Sequence, residues 1–283
     1  MIPLDEADSI IPQTVPAANS LGLVDKTLFV SIANGDLAGI EQLLMLGADV
    51  NACNAFGETA LYCACSDNQR DVVELLLAHG ANVNTPCANG ATPLIKVSKR
   101  GYMRIMEILI AHGADVNALE NGGDSALMKA CKKKKLLALE RLLKQGADAN
   151  MRYSNGETAL IKVCKKGEYE LALLLLLHGA DANIPCYKGE TALLKVSKKG
   201  DRHLCELLLK HGANVDVCCH HAETVLIKAC RKGYTELAEL CLAHGADVKC
   251  CDIRGKSALS YALESGNQQL TTILQNKGAE AYR

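Results

Sequence analysis

The chain has 283 residues, a formal net charge of −1 and 49 % apolar residues, enough to bury a large core in one domain, two domains or a repeat array. The near-neutral balance gives no global attraction to nucleic acid or membrane, so any basic surface must be offset by acidic residues elsewhere. Aromatic residues make up 4 %, with no Trp, so the core is expected from Leu, Ile, Val and Ala, as suits closely packed helices.

Residues 1–22 carry Pro3, Pro12 and Pro16 and read as a loose arm outside any regular pattern. They show neither the positive start nor the sustained apolar stretch of a secretory signal. The longest strongly apolar run, residues 171–177, is far short of the ~20 residues that span a bilayer. With no signal in view, the 14 cysteines point to a reducing compartment rather than a disulfide scaffold. The expectation is a soluble cytoplasmic protein, with the nucleus also compatible.

From residue 23 onward the chain repeats itself. A Gly-Ala pair begins at residues 47, 80, 113, 146, 179, 212, 245 and 278, a constant interval of 33. A second register agrees: Leu61, Leu94, Leu127, Leu160, Leu193, Leu226 and Leu259 close T/S-x-L triplets at the same interval, with Leu28 as their counterpart at the start. Within one unit, Thr158 can cap a helix while Leu160, Ile161, Val163 and Cys164 supply its apolar contacts. Gly167 is placed to close that helix. A second helix covers roughly 168–178, and the polar stretch through Asp181, Asn183 and Gly189 makes a turn into the next unit. Two short helices cannot hide their apolar faces alone, so neighbouring units must stack.

On the G-x-T-A/P-L opening, the central glycine, the leucine run and the H-G-A-D-V-N close, the sequence resembles the ankyrin repeat family over residues 23–283, as eight units without an insertion. The resemblance implies an all-α solenoid of stacked helix pairs with projecting turns, whose polar terminal units act as caps. It also implies a non-enzymatic module that binds other proteins on the concave face of turn tips and inner helices. No P-loop, nucleophile-elbow or zincin motif competes with that reading.

The departures from the family pattern are informative. The family's inter-unit histidine is replaced by Tyr62, Ile95, Met128, Ile161, Leu194, Ile227 and Ser260, which exchanges a polar bond mostly for apolar contact. At the next position Lys96, Lys129, Lys162, Lys195 and Lys228 recur. Each is followed at i+3 and i+4 by a basic pair: Lys99/Arg100, Lys132/Lys133, Lys165/Lys166, Lys198/Lys199 and Arg231/Lys232. Fifteen of the 31 Lys and Arg residues thus form a ladder over five inner helices, which the resemblance places on the concave side.

Packed helices lie about 8–10 Å apart, so an extended acidic or phosphorylated protein segment could run along the rungs. Sensing of a small polyanion, such as an inositol phosphate or a nucleotide-derived ligand, held by two or three rungs is the alternative. A third reading stays open beside these: Glu157, Glu190, Glu223, Glu58 and Asp124, next to the capping residues, could neutralise the lysines and leave only a solvated face. Scarce stacking residues disfavour nucleic acid. Membrane insertion is not expected, and the domain reads as monomeric. If binding were insensitive to salt, apolar anchors at the turn tips, namely Tyr153, Tyr187 and Phe56, would be the candidates instead.

Repeated cysteines (Cys65, Cys131, Cys164, Cys230) and second-helix Cys205 and Cys241 are expected as small core residues. His79, His112, His178, His211 and His244 are expected to bond to local backbone. Cys218, Cys219, His220 and His221, with Cys250 and Cys251 one unit later, lack the gaps of a zinc site, so no metal or other cofactor is expected.

Overall fold

Residues 22–280 are described by the computed structural model, so the expected arm, apart from Gly22, lies outside the described residues. Thr or Ser at positions 59, 92, 125, 158, 191, 224 and 257 starts a helix by accepting, through its hydroxyl, the N–H of the residue three further on. These first helices are α3 (Ala60–Ser66), α5 (Pro93–Arg100), α7 (Ala126–Lys132), α9 (Ala159–Lys166), α11 (Ala192–Ser197), α13 (Val225–Lys232) and α15 (Ala258–Glu264), preceded by α1 (Leu23–Asn34). Each is followed by a second helix: α2 (Leu37–Met45), α4 (Arg70–Ala78), α6 (Met103–Ala111), α8 (Leu136–Lys144), α10 (Tyr169–Leu177), α12 (Arg202–Lys210), α14 (Thr235–Ala243) and α16 (Gln268–Asn276).

Every first helix packs on its own second helix and, up to α13, on the first helix of the next unit, which stacks eight units in one array. The repeated leucines from Leu28 to Leu259 are all buried in one continuous core. The residues at the lost histidine position, from Tyr62 to Ser260, are buried as well, as the apolar seam requires. No helix among the described residues is long and apolar enough to cross a membrane.

Between units the turns are tied by a hydrogen-bonded spine of asparagines from the repeated G-A-D/N-x-N motif. Asn150 Oδ1 accepts the N–H of Asp181 at 2.8 Å, and its amide donates to Gly179 O at 3.1 Å. Asn51, Asn84, Asn117 and Asn183 make the same two bonds to the following unit. Asp216 keeps only the acceptor role, toward Asp247 N–H at 2.9 Å. Asn150→Ala removes both bonds at one junction and should cost about 1–2 kcal/mol in urea unfolding. A cost near zero would show that the spine contributes no net stability.

A single antiparallel bridge steadies most turns, at Cys53, Leu119, Arg152, Cys218 and Cys251, each opposite its capping residue. It is missing where Pro86 and Pro185 occupy the same place, since proline holds φ near −65°, away from the extended strand value.

The glycine that closes a first helix is replaced by Lys134 in the fourth unit, and the left-handed turn is kept there at φ 54°. Lys134, itself exposed, reaches the half-buried Glu168 at 2.6 Å, a surface pair of small value. The backbone penalty for a side chain in this region is about 1–2 kcal/mol. Lys134→Gly should therefore stabilise the chain by about 1 kcal/mol, readable as a higher urea midpoint at unchanged slope.

Candidate protein-binding face

The fifteen cations of α5, α7, α9, α11 and α13 divide into two groups by their partners. Carboxylates on the turns just before α7, α9, α11 and α13 reach back to the first two rows. Asp124 bridges Lys129 at 2.9 Å and Lys132 at 2.5 Å, and Glu120 adds a second partner to Lys129 at 2.5 Å. Glu157 faces Lys162 at 3.7 Å and Lys165 at 3.4 Å. Glu190 is clasped by Lys195 and Lys198, and Glu223 faces Lys228 at 3.4 Å and Arg231 at 2.7 Å. Eight cations are thereby held in ion pairs.

In the last unit the pair is inverted. Lys256 stands where Glu223 would be one unit earlier, Glu264 stands where Arg231 would be, and the two are bonded. A pair that survives exchange of its signs is a scaffold pair, joining the turn to the helix whichever way the charges run.

The other seven cations have no carboxylate partner among the described residues. In the third unit Ala91 replaces the pairing carboxylate, so Lys96 rests over the Tyr62 ring at 5.1 Å while Lys99 and Arg100 stand free in solvent. The remaining four, Lys133, Lys166, Lys199 and Lys232, continue the row begun by Arg100. All five lie exposed at or just beyond the helix C-termini, where cations are favoured by the helix dipole. Lys199 also donates to Lys165 O at 2.6 Å. This row is absent at both ends of the array, where the register holds Asp67 and Ser265.

Of the expected apolar anchors, Tyr187 and Phe56 are displayed at turn tips, 71 % and 76 % exposed. Tyr153 is not: it is 4 % exposed, its hydroxyl donates to Met128 O at 3.4 Å, and Lys132 and Lys162 cover its ring at 4.8 and 4.7 Å. It is a seat for two lysines and not a surface anchor, because its turn folds it back under the ladder. The recurrence of lysines at 132 and 162 around position 153 was visible in the sequence, but their approach to one ring needed the fold.

Glu190 shows the strength of the paired rows. Burial works against its ionisation, yet the hydrogen bonds and charges of Lys195 and Lys198 prevail and hold its pKa at about 2, below the ordinary 4.5. A depressed carboxylate contributes stability that is fully present above pH ~4.5 and is lost as pH falls toward 2. Glu190→Gln should therefore lower stability at pH 7 and flatten the loss between pH 4.5 and 2, followed by circular dichroism across that window. Parallel acid profiles for the two proteins would contradict the assignment.

All fourteen cysteines are free thiols. Burial pushes Cys131, Cys164 and Cys230 up to about 12, so they stay protonated and unreactive core residues. His79, His112, His178 and His211 each donate from Nδ1 to the carbonyl four residues back, at 2.8–3.0 Å. Among the described residues no three Cys, His, Asp or Glu side chains converge as metal ligands would, and Cys218 lies exposed.

The family model for ankyrin repeats matches in three copies, over residues 28–120, 127–219 and 193–283. The chain is an ankyrin repeat protein. Among curated proteins none matches it significantly. Ankyrin repeats generally serve as protein–protein interaction modules and are typically non-enzymatic. In this ankyrin repeat array, the carboxylates that pair with the ladder come from the turns preceding α7, α9, α11 and α13.

Proposed function

We propose that this ankyrin repeat protein is a non-enzymatic adaptor whose inner-helix face recruits an acidic or phosphorylated protein segment. One observation carries the reading: five exposed cations without a carboxylate partner, Arg100, Lys133, Lys166, Lys199 and Lys232, keep one register through five consecutive units. The fold has no use for them as pairs, since the turn carboxylates are taken by the other two rows. Lys96 and Lys99 widen the row at its start. Fifteen cations facing five carboxylates leave a formal excess of ten on a chain whose net charge is −1, so the positive field is local to this face.

The ligand is expected to lie along the row and to be met by diffuse attraction, because lysine ammoniums dominate over guanidinium forks. The test is a paired lysate pull-down read by mass spectrometry. One bait is the native chain, and the other carries Arg100→Glu, Lys133→Glu, Lys166→Glu and Lys232→Glu with its helical signal checked. Partners with acidic segments should vanish from the second bait alone. An unchanged partner list would reduce the row to a solvated face and turn attention to Tyr187 and Phe56. A small polyanion as ligand is favoured at a cavity between the sixth and seventh units.

A further inference from the structure

That cavity, about 480 Å³, falls within the roughly 300–1,000 Å³ typical of ligand pockets. It opens between the turn at 219–223 and the neighbouring ends of α11 and α13. Lys228 forms its floor and is the most buried lysine of the ladder, 4 % exposed. The other lysines at this register have a different kind of contact. Lys129 and Lys195 hydrogen-bond to carboxylates, while Lys96 and Lys162 sit over tyrosine rings. Lys228 has neither. Its single ion-pair partner, Glu223, stands at 3.4 Å and is shared with Arg231, which holds it more closely at 2.7 Å. Lys228 is buried as a residue but lines the cavity, where the three donors of its ammonium suit an oxygen-rich anion.

The surroundings suit one. Arg231, Lys232 and Lys198 ring the floor, and His220 and His221 stand on the turn side. Glu190 and Glu223 also line the cavity, but both are already clasped by lysine or arginine. The His pair is peculiar to this unit: the same two turn positions hold Ala55 and Phe56, Asn121 and Gly122, or Ser154 and Asn155 elsewhere. His220 is brought in by close approach to Gly189, where an added Cβ would lie 3.1 Å from the ring.

We infer that this cavity is a phosphate site, taking a phosphomonoester dianion onto Lys228, Arg231 and the His220–His221 pair. The inference deepens the adaptor reading, on which it rests only for the peptide that would carry the phosphate. A phosphate offers three acceptor oxygens and close to two negative charges, which matches a floor ammonium, a guanidinium and imidazole donors better than a single carboxylate does.

The first experiment titrates inorganic phosphate into the 15N-labelled full chain at constant ionic strength, with the imidazole nitrogens observed by NMR. Saturable shifts confined to His220 and His221, and abolished by Lys228→Met, are expected. Shifts shared by all eight histidines, or surviving Lys228→Met, would overturn the site. Should Lys228→Met fail to fold, the exposed double variant His220→Ala, Lys232→Ala serves, with phosphate binding then read by isothermal titration and expected to be lost.

The second experiment compares acidic peptides that carry phosphoserine or Glu at one central position. The phosphoserine form should bind at least about tenfold more tightly, and the preference should disappear in Lys228→Met. Binding of the Glu peptide with silent histidines would sink the phosphate site and leave the adaptor reading intact. Saturating phosphate shifts with neither peptide bound would sink the adaptor reading and assign the site to free phosphorylated compounds.

Discussion

Reversing Arg100, Lys133, Lys166 and Lys232 to Glu will weaken an acidic peptide by about 2 kcal/mol, roughly 30-fold, if each of four exposed contacts contributes in the usual range of about 0.2–1 kcal/mol. Lys199 is left intact because it also donates to Lys165 O, so its loss would mix structure with binding. The measurement is fluorescence anisotropy with a labelled Glu-rich peptide at about 0.1 M salt. In the native protein the affinity should fall steeply as salt rises, because exposed charges are screened over about 10 Å at that ionic strength. The informative control removes a scaffold pair, Glu157→Gln with Lys165→Gln, and leaves Lys162 over the Tyr153 ring. It keeps the formal charge of the face and should retain most of the peptide affinity. Equal losses in both variants would mean that all three rows act together and that the division into scaffold and contact rows is wrong.

The largest stability effect is expected at the middle of the stack. Leu160 is 1 % exposed and lies on α9, which packs on α10 and on the first helices before and after it. Leu160→Ala should cost about 2–5 kcal/mol, the lost transfer energy plus the cavity left behind. Because each unit touches only its neighbours, the damage is confined to one place in a nearly one-dimensional array. Urea unfolding should then change from one transition toward two, as the units on either side of the weak joint come apart separately. A single transition with an undiminished midpoint would refute the central placement of this residue.

Much of this was legible in the sequence because the stack repeats its physics. The capping Thr and Ser, the buried leucines and the histidine bonds all follow from local rules applied every 33 residues. The carboxylates beside the caps were visible too, as possible partners of the lysines. What one-dimensional reading could not divide was the ladder itself. All fifteen cations obey the same spacing, and only the path of the turn decides that Glu157 reaches Lys162 and Lys165 but not Lys166. Tyr153 failed as an exposed anchor for a related reason, since a polar turn sequence does not reveal which of its residues folds inward. The asparagine spine carried a fair signal, Asn51, Asn84, Asn117, Asn150 and Asn183 at one interval, but its bonds cross from unit to unit. The phosphate cavity depends on residues that break the repeat, where a periodic reading is weakest.

The two proline-bearing turns lie 99 residues apart, and that distance is three units. The same interval joins Lys96-Val97-Ser98-Lys99 to Lys195-Val196-Ser197-Lys198, and Lys129-Ala130-Cys131 to Lys228-Ala229-Cys230. A slower rhythm thus runs beneath the 33-residue beat, as copying a block of units would leave it. The seam between units three and four is the sister of the seam between units six and seven. There Asn89, Asn121 and Gly122 occupy the places of Lys188, His220 and His221. The molecule carries its own comparison: two related seams on one scaffold, of which the later has gathered a lysine and a histidine pair at those three places.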